Sequence, residues 1–260
     1  MIPSHMDMGI ITPLVAYSVS CVGSALGLLS TERARNSTGA QSHWWLVVAA
    51  VAIGGMGIWV MHFTAMLGTW MGTNVAYDVP LTLLSMVVAI VVVGVGLFVV
   101  SRSDPNRLGP LAAGGVFTGV GVAAMHYTGM SAVTIGARVS YDIPIVLLSV
   151  LIAVVAATAA LWATMNIRGP LAVVGAALVM GLAVTGMHYT GMAAMKVVVD
   201  QRAPLIVGNS QELITSLIIG VIAVCVIIIF LLVLTASSKE FEDDAELLDR
   251  VIRRSGWRES

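Results

Sequence analysis

The chain has 260 residues, of which 58% are hydrophobic and 10% charged, with a formal net charge of −1. Soluble domains carry about 25% charged residues, so this composition excludes an ordinary soluble fold. The basic residues form no tract suited to nucleic acid, and mean hydropathy is +0.96.

The chain opens with "MIPSHMDMG", which has no basic region, and the first apolar run has the length of a full span. A cleavable signal peptide is therefore not expected. Seven apolar runs follow, at 9–30, 44–69, 80–101, 109–134, 143–165, 170–196 and 213–236. Runs of this length read as membrane-spanning helices, whereas barrel strands would be shorter and would alternate. The expected fold is an all-α integral membrane protein with a seven-helix domain over 1–236 and a cytoplasmic tail over 237–260. That tail is too short for an enzyme domain. Phe241, Ala245, Leu248 and Val251 in it have helical spacing, which suits either contact with a partner or membrane surface or a solvated end.

Basic residues set the orientation. Arg33, Arg35, Arg102, Arg107, Arg168, Lys239, Arg250, Arg253, Arg254 and Arg258 fall on one side, and Arg138, Lys196 and Arg202 on the other. The expected topology is N-terminus out and C-terminus in.

An internal repeat runs through the chain. "YDVPLTLLS" at 77–85 recurs as "YDIPIVLLS" at 141–149, and Pro13 and Ser18 fit the same frame. Each copy leads, one hairpin later, to a signature: "WVMHFTAMLG" at 59–68, "AAMHYTGMSA" at 123–132 and "TGMHYTGMAA" at 185–194. The unit is a helical hairpin of about 64 residues, present three times with a seventh helix added. Two helices per unit make the repeats parallel, so all three signatures share one side. Each histidine lies 17 or 18 residues after the start of its run, or roughly 26–27 Å along the helix. In a hydrocarbon core about 30 Å thick, that is the outer boundary. Spans 2, 4 and 6 are rich in small residues, including the pair Gly115 and Gly119. Small residues allow close helix approach, which predicts an inner ring of these three spans with the odd spans outside.

Within each signature the histidine and second methionine are four residues apart: His62 and Met66, His126 and Met130, His188 and Met192. That spacing stacks them on one helical face. The leading Met61, Met125 and Met187 sit about 100° to the side. Met195 continues the stripe in span 6. An intramembrane histidine is a functional-site hypothesis by default, and three at one depth point to a ligand cluster. Imidazole with thioether selects copper, Cu⁺ above Cu²⁺. Zinc calls for thiolate or carboxylate, which the motif lacks. Haem needs only an axial pair and explains neither the third copy nor the methionines.

The motif M-H-[YF]-T-[GA]-M, three times within seven spans, resembles the MHYT domain family of bacterial integral membrane sensors. The likeness covers about residues 5–236. It implies copper held by Met and His on the outer side of the cytoplasmic membrane, and a sensor of oxygen, carbon monoxide, nitric oxide or redox state. The nine residues matching the motif are the implied ligands. The first copy departs from the pattern at Phe63 and Ala65, where the others have tyrosine and glycine. It therefore lacks one hydroxyl.

Other residues have two readings each. Asp78 and Asp142 can orient ligand histidines or cap the helices they precede. Asn209 with Glu212 reads as a capping box for span 7. Tyr127 and Tyr189 can bond a diatomic ligand or a histidine, or sit in the interfacial aromatic belt. His5, beside Met6 and Met8, can cap the metal site or belong to a loose end. His43 reads as interfacial, and Cys21 and Cys225 as buried apolar residues. The leading functional expectation is a copper-binding sensor signalling to a cytoplasmic partner. A copper transporter and a membrane redox protein are the rivals. No nucleophile constellation, acid/base pair or phosphate loop is present to suggest an enzyme.

Overall fold

Each of the seven apolar runs folds as a helix long and apolar enough to cross a membrane. The computed structural model describes residues 7–8, 11–67, 69–70, 75–103, 107–135, 137–199, 212 and 214–232. The helices are α1 (Ile11–Arg35), α2 (Gly39–Leu67), α3 (Val79–Ser101), α4 (Leu108–Ser131), α5 (Ile143–Asn166), α6 (Pro170–Ala193) and α7 (Ile214–Leu232). The chain is a multi-pass membrane protein. Its outward faces carry large apolar side chains such as Phe117, Val120, Val179 and Leu182, which lipid would cover. The capping box expected at Asn209 and the tail after 232 lie outside the described residues.

Helices α1 to α6 form a closed ring in chain order, each packed on its sequence neighbours and α1 packed on α6. The inner ring expected of α2, α4 and α6 is therefore corrected. These helices meet one another only narrowly, α2 chiefly through Met61–Leu67. Their glycines serve the odd-numbered neighbours instead: Gly115 and Gly119 lie against Thr158 and Val154 of α5, Gly54 against Ala89 and Ile90 of α3, and Gly181 against Cys21 of α1. A small residue permits close approach by whichever helix is adjacent, and sequence cannot say which one that is. Helix α7 lies beside α2, with Val221 facing Gly55 and the Leu232 carbonyl accepting from Arg33 Nη2 at 3.1 Å. Covered on that side too, α2 is the most buried span.

The middle of α2, Val51–Val60, is a π-helix, a winding rare at this length and usually found at functional places. The "GGMG" run offers few side chains to resist it. The Gly57 carbonyl is held by the Ser20 hydroxyl of α1 at 2.8 Å. His62 lies 23 residues after Gly39, whereas His126 and His188 lie 18 after the starts of α4 and α6. The i→i+5 winding shortens the rise per residue over these ten residues and so takes up part of the difference.

Three short antiparallel pairs cover the histidine end: β1 (Asp7–Met8) with β2 (Thr69–Trp70), β3 (Val75–Tyr77) with β4 (Val133–Ile135), and β5 (Ala137–Tyr141) with β6 (Met195–Val199). Each strand before an odd-numbered helix pairs with the strand that follows the next even one. The amides of Asp78 and Asp142 extend the last two pairs by donating to the carbonyls of Ala132 and Ala194 at 2.7 and 2.8 Å. The apolar runs of spans 4 and 6 extend to 134 and 196. The structure ends them at Ser131 and Ala193, and extended backbone follows over "VTI" from Val133 and "MKVVV" from Met195, both rich in β-branched residues.

Tyr77 on β3 is 6% exposed, and burial pushes its hydroxyl up to about 12. The neutral form is favoured in the fold. Its contribution is complete below the unfolded tyrosine value of about 10 and is lost as pH rises toward 12. Two units of separation correspond to about 2–3 kcal/mol. Denaturation of Tyr77→Phe and the parent at about pH 9 and pH 11 checks this: the parent loses more stability between them.

Candidate metal centre

The last turns of α2, α4 and α6 converge under the strand pairs and bring three imidazoles together. His62, His126 and His188 are each at most 1% exposed. His62 Nδ1 lies 3.0 Å from His188 Nδ1 and 3.2 Å from His126 Nδ1. Ring centroids are 4.9–5.1 Å apart and the planes cross at 83–88°, so each ring presents an edge to the next. The Nδ1 atoms share a centre, while each Nε2 is buried with no hydrogen-bond partner.

This arrangement can hold a metal ion. Metal–imidazole bonds of about 2.0–2.1 Å at tetrahedral angles place ligand nitrogens about 3.3 Å apart, close to the separations present. Neutral imidazole carries one N–H. If all three Nδ1 lone pairs face the centre, only a cation there satisfies them together. Among the described residues, His62, His126 and His188 are the group of histidine, cysteine and carboxylate side chains with this geometry.

One turn farther toward the strands, Met66, Met130 and Met192 form a buried cluster with Met195, roofed by Val75, Val133, Tyr141 and Val197. The leading methionines are placed elsewhere. Met61 packs with Ala16 and Ala65, whereas Met125 and Met187 join the main apolar core. The 100° offset read from the sequence turns them out of the sulfur layer. Of the eleven expected Met/His donors, seven are thus gathered, three are not, and His5 lies outside the described residues.

Glycine shapes the site. A methyl group at Gly129 would lie 2.6 Å from His62 Nε2, and one at Gly191 would strike the imidazole of His126. The matching residue of the first copy is Ala65, fully buried. These ring contacts are where α2, α4 and α6 do approach closely.

The hydroxyl missing at Phe63 is replaced. In the second copy Tyr127 Oη and Ser149 Oγ are 2.7 Å apart. In the first, Trp59 Nε1, one turn before Phe63, donates to Ser85 Oγ at 3.1 Å and to the Thr82 carbonyl at 3.2 Å. In the third, the Tyr189 hydroxyl is buried without a partner, and Ser18 donates to the Leu14 carbonyl of its own helix. Sequence reasoning missed Trp59. Its signal was an indole N–H four residues before the one signature position lacking a hydroxyl.

The two aspartates stand apart from the imidazoles. Asp78 Oδ1 accepts from the Leu81 amide at 2.9 Å and caps α3. Asp142 makes no side-chain cap; it accepts from Lys196 Nζ at 2.9 Å, which holds its carboxyl below the ordinary range. With all three Nε2 atoms unpartnered, neither carboxylate orients a histidine. His43 lies at the opposite end, 3.4 Å from Arg102 Nη2. Cys21 and Cys225 are free thiols. His5 lies outside the described residues.

The model of the MHYT family, described as the bacterial signalling protein N-terminal repeat, matches residues 55–113, 119–177 and 181–241. The chain is 42% identical over 189 residues to the bifunctional diguanylate cyclase/cyclic di-GMP phosphodiesterase MucR of Pseudomonas aeruginosa, covering 70% of this chain and 27% of that protein. It is 33% identical over 222 residues to the cyclic di-GMP phosphodiesterase NbdA of the same organism, covering 81% and 28%. Against the signaling protein YkoW of Bacillus subtilis it is 29% identical over 231 residues, covering 83% and 28%. The chain therefore spans under a third of the length of these relatives. No solved structure matches it.

Proposed function

We propose that this chain, which belongs to the MHYT family of bacterial signalling-protein repeats, is a copper-binding sensor domain with its metal held near the extracytoplasmic face. The observation that carries the reading is the convergence of three buried Nδ1 atoms beneath a layer of thioethers. His62, His126 and His188 would supply the inner ligands, and Met66, Met130 or Met192 the soft donor that favours the cuprous ion. Met195 widens the sulfur layer toward the surface. A bound copper ion supplies redox change and affinity for diatomic ligands. The protein's own part is to exclude water, fix the rings edge to edge and register any change at the centre.

Two features support a receptor over a transporter. Beyond the triad, the ring encloses an apolar cavity of about 50 Å³ beside Met187, lined also by Ile53, Val122, Ala157 and Met180. Its thioethers are Met180 and Met187 alone, with no imidazole, thiolate or carboxylate among the described residues that line it to continue a relay, and its size suits a diatomic gas. The π-helix leads directly into His62, so a shift of that ring has a route along α2 through a segment that can change its winding. The positive-inside rule places the arginine-rich end in the cytoplasm. The relatives' names point to cyclic di-GMP turnover as the class of output, whether carried on the same polypeptide or on a partner.

Copper loading of the purified protein followed by X-ray absorption tests this. The expected first shell holds imidazole nitrogen at about 2.0 Å and sulfur at about 2.3 Å. A protein that retains no copper after desalting, or a shell without imidazole, overturns it. Copper uptake into proteoliposomes, if seen, moves the assignment to transport.

A further inference from the structure

The end of the helix ring opposite the histidines opens into a second cavity, of about 450 Å³. We infer that this vestibule binds a phosphate-bearing anion, gripped by Arg35 and Arg168. Its walls come from the ends of α1, α3 and α5 and the start of α2, and they include Arg35, Arg102, Arg168, His43, Ser42 and Thr164. No carboxylate is among the described residues that line it.

Arg35 is the centre of the argument. Its Nη2 donates to the Ile167 carbonyl at 3.1 Å, but Nε and Nη1 are buried with no partner. A buried guanidinium N–H without an acceptor is costly. The planar fork left open matches the paired oxygens of an oxyanion, which arginine binds in bidentate fashion. Around it, most of the lining hydroxyls are already committed. Thr31, Ser42, Ser103 and Thr164 each donate to a backbone carbonyl, at 2.7–2.8 Å. Their oxygens can still accept but add no donor, which leaves the guanidinium groups, with the Ser37 hydroxyl and the His43 ring beside them, to meet an anion. Arg102 is anchored at the rim, 3.9 Å over the Phe98 ring. Arg168, exposed at the mouth, is free to close on an incoming anion.

Size and lining narrow the class. The volume falls within the range of about 300–1,000 Å³ typical of small-ligand sites and exceeds what a bare halide would fill. Leu46, Leu97 and Val100 give it an apolar side suited to the organic part of a phosphate ester. The cavity lies at the helix ends, where a lipid headgroup and a soluble phosphate compound are both within reach. This site is independent of the metal reading.

The test uses the full chain in a phosphate-free maltoside detergent, with phosphatidylglycerol followed by native mass spectrometry and inorganic phosphate followed by equilibrium binding. The expected result is one retained probe per chain, weakened about tenfold or more in Arg35→Gln. Arg35→Lys, which keeps the charge but not the fork, falls between. Arg138→Gln, at the other face, leaves binding unchanged. Should Arg35→Gln not fold, Arg168→Gln at the exposed mouth gives the same direction. Phosphatidylglycerol alone binding identifies a lipid headgroup, phosphate alone a soluble anion, and both the phosphate group itself. Binding of neither, or binding by the Arg35→Gln and Arg168→Gln variants as tight as the parent's, overturns the proposal.

Discussion

Changing His62, His126 and His188 together to Ala is expected to abolish copper binding, and each single change to lower affinity by more than about 100-fold. Loss of a supporting contact to a ligand already costs about 10–100-fold, and each of these side chains offers a donor atom itself. The same variants separate a metal centre from a polar packing cluster through stability. Without metal, the parent holds three buried Nε2 atoms with no acceptor, each costing about 1–3 kcal/mol. Removing the imidazoles leaves voids, at a cost of similar size. The metal-free parent and the triple variant should therefore melt close together. Copper should then raise the parent alone, by about 4 kcal/mol when free metal exceeds the dissociation constant a thousandfold. Thermal melts with and without copper read this directly. A triple variant that melts far below the metal-free parent, with no added response to copper in either, would assign the histidines to packing.

The architecture was legible because its signals are long and repeated. Seven apolar runs, two copies of the "YD[VI]P" start and three signatures fix spans and spacing. Their meaning for close contacts was less legible. Small residues announce that some helix comes near, so Gly115 and Gly119 suggested α2 and α6 while their partner is α5. Backbone winding was hidden altogether. The stretch from Val51 to Val60 has no proline or polar break, and the π-helix there depends on tertiary contacts such as Ser20 with Gly57. The strands were masked because apolar residues after Ser131 and Ala193, Val133 in one copy and Ala194 with Met195 in the other, simply prolong an apolar run. Within the site, angular offset along the helix separated two kinds of methionine that look alike in the motif. Met66, Met130 and Met192 sit one turn beyond their histidines and converge, whereas Met61, Met125 and Met187 turn aside into apolar packing. Heptad-like counting gives that offset but not the consequence, because the direction of the ring centre is a property of three helices at once.

Gly129→Ala and Gly191→Ala are expected to weaken copper binding by about 10–100-fold although neither residue offers a ligand. The range is that of disturbed support around a metal ligand. The added methyl at 129 falls 2.6 Å from His62 Nε2, and the one at 191 strikes the His126 ring. Neither imidazole can simply retreat. His62 has Nδ1 within 3.0 and 3.2 Å of its two partners, and its ring also lies edge-on to Phe63 at 4.8 Å. Relief must come by rotating the ring, which swings Nδ1 off the shared centre, or by separating α4 from α2 and α6 from α4. Overpacking of this kind costs about 1–3 kcal/mol in stability as well. Gly186→Ala supplies the control. It lies on α6 two residues before His188, and a methyl there meets only open space. That variant should keep copper affinity and melting temperature. Side by side, the three variants distinguish a site whose shape is set by close helix approach from one that any loose cluster of histidines could form. Equal copper affinity in all three would show that the rings reposition freely, and that the edge-to-edge arrangement contributes nothing to holding the metal.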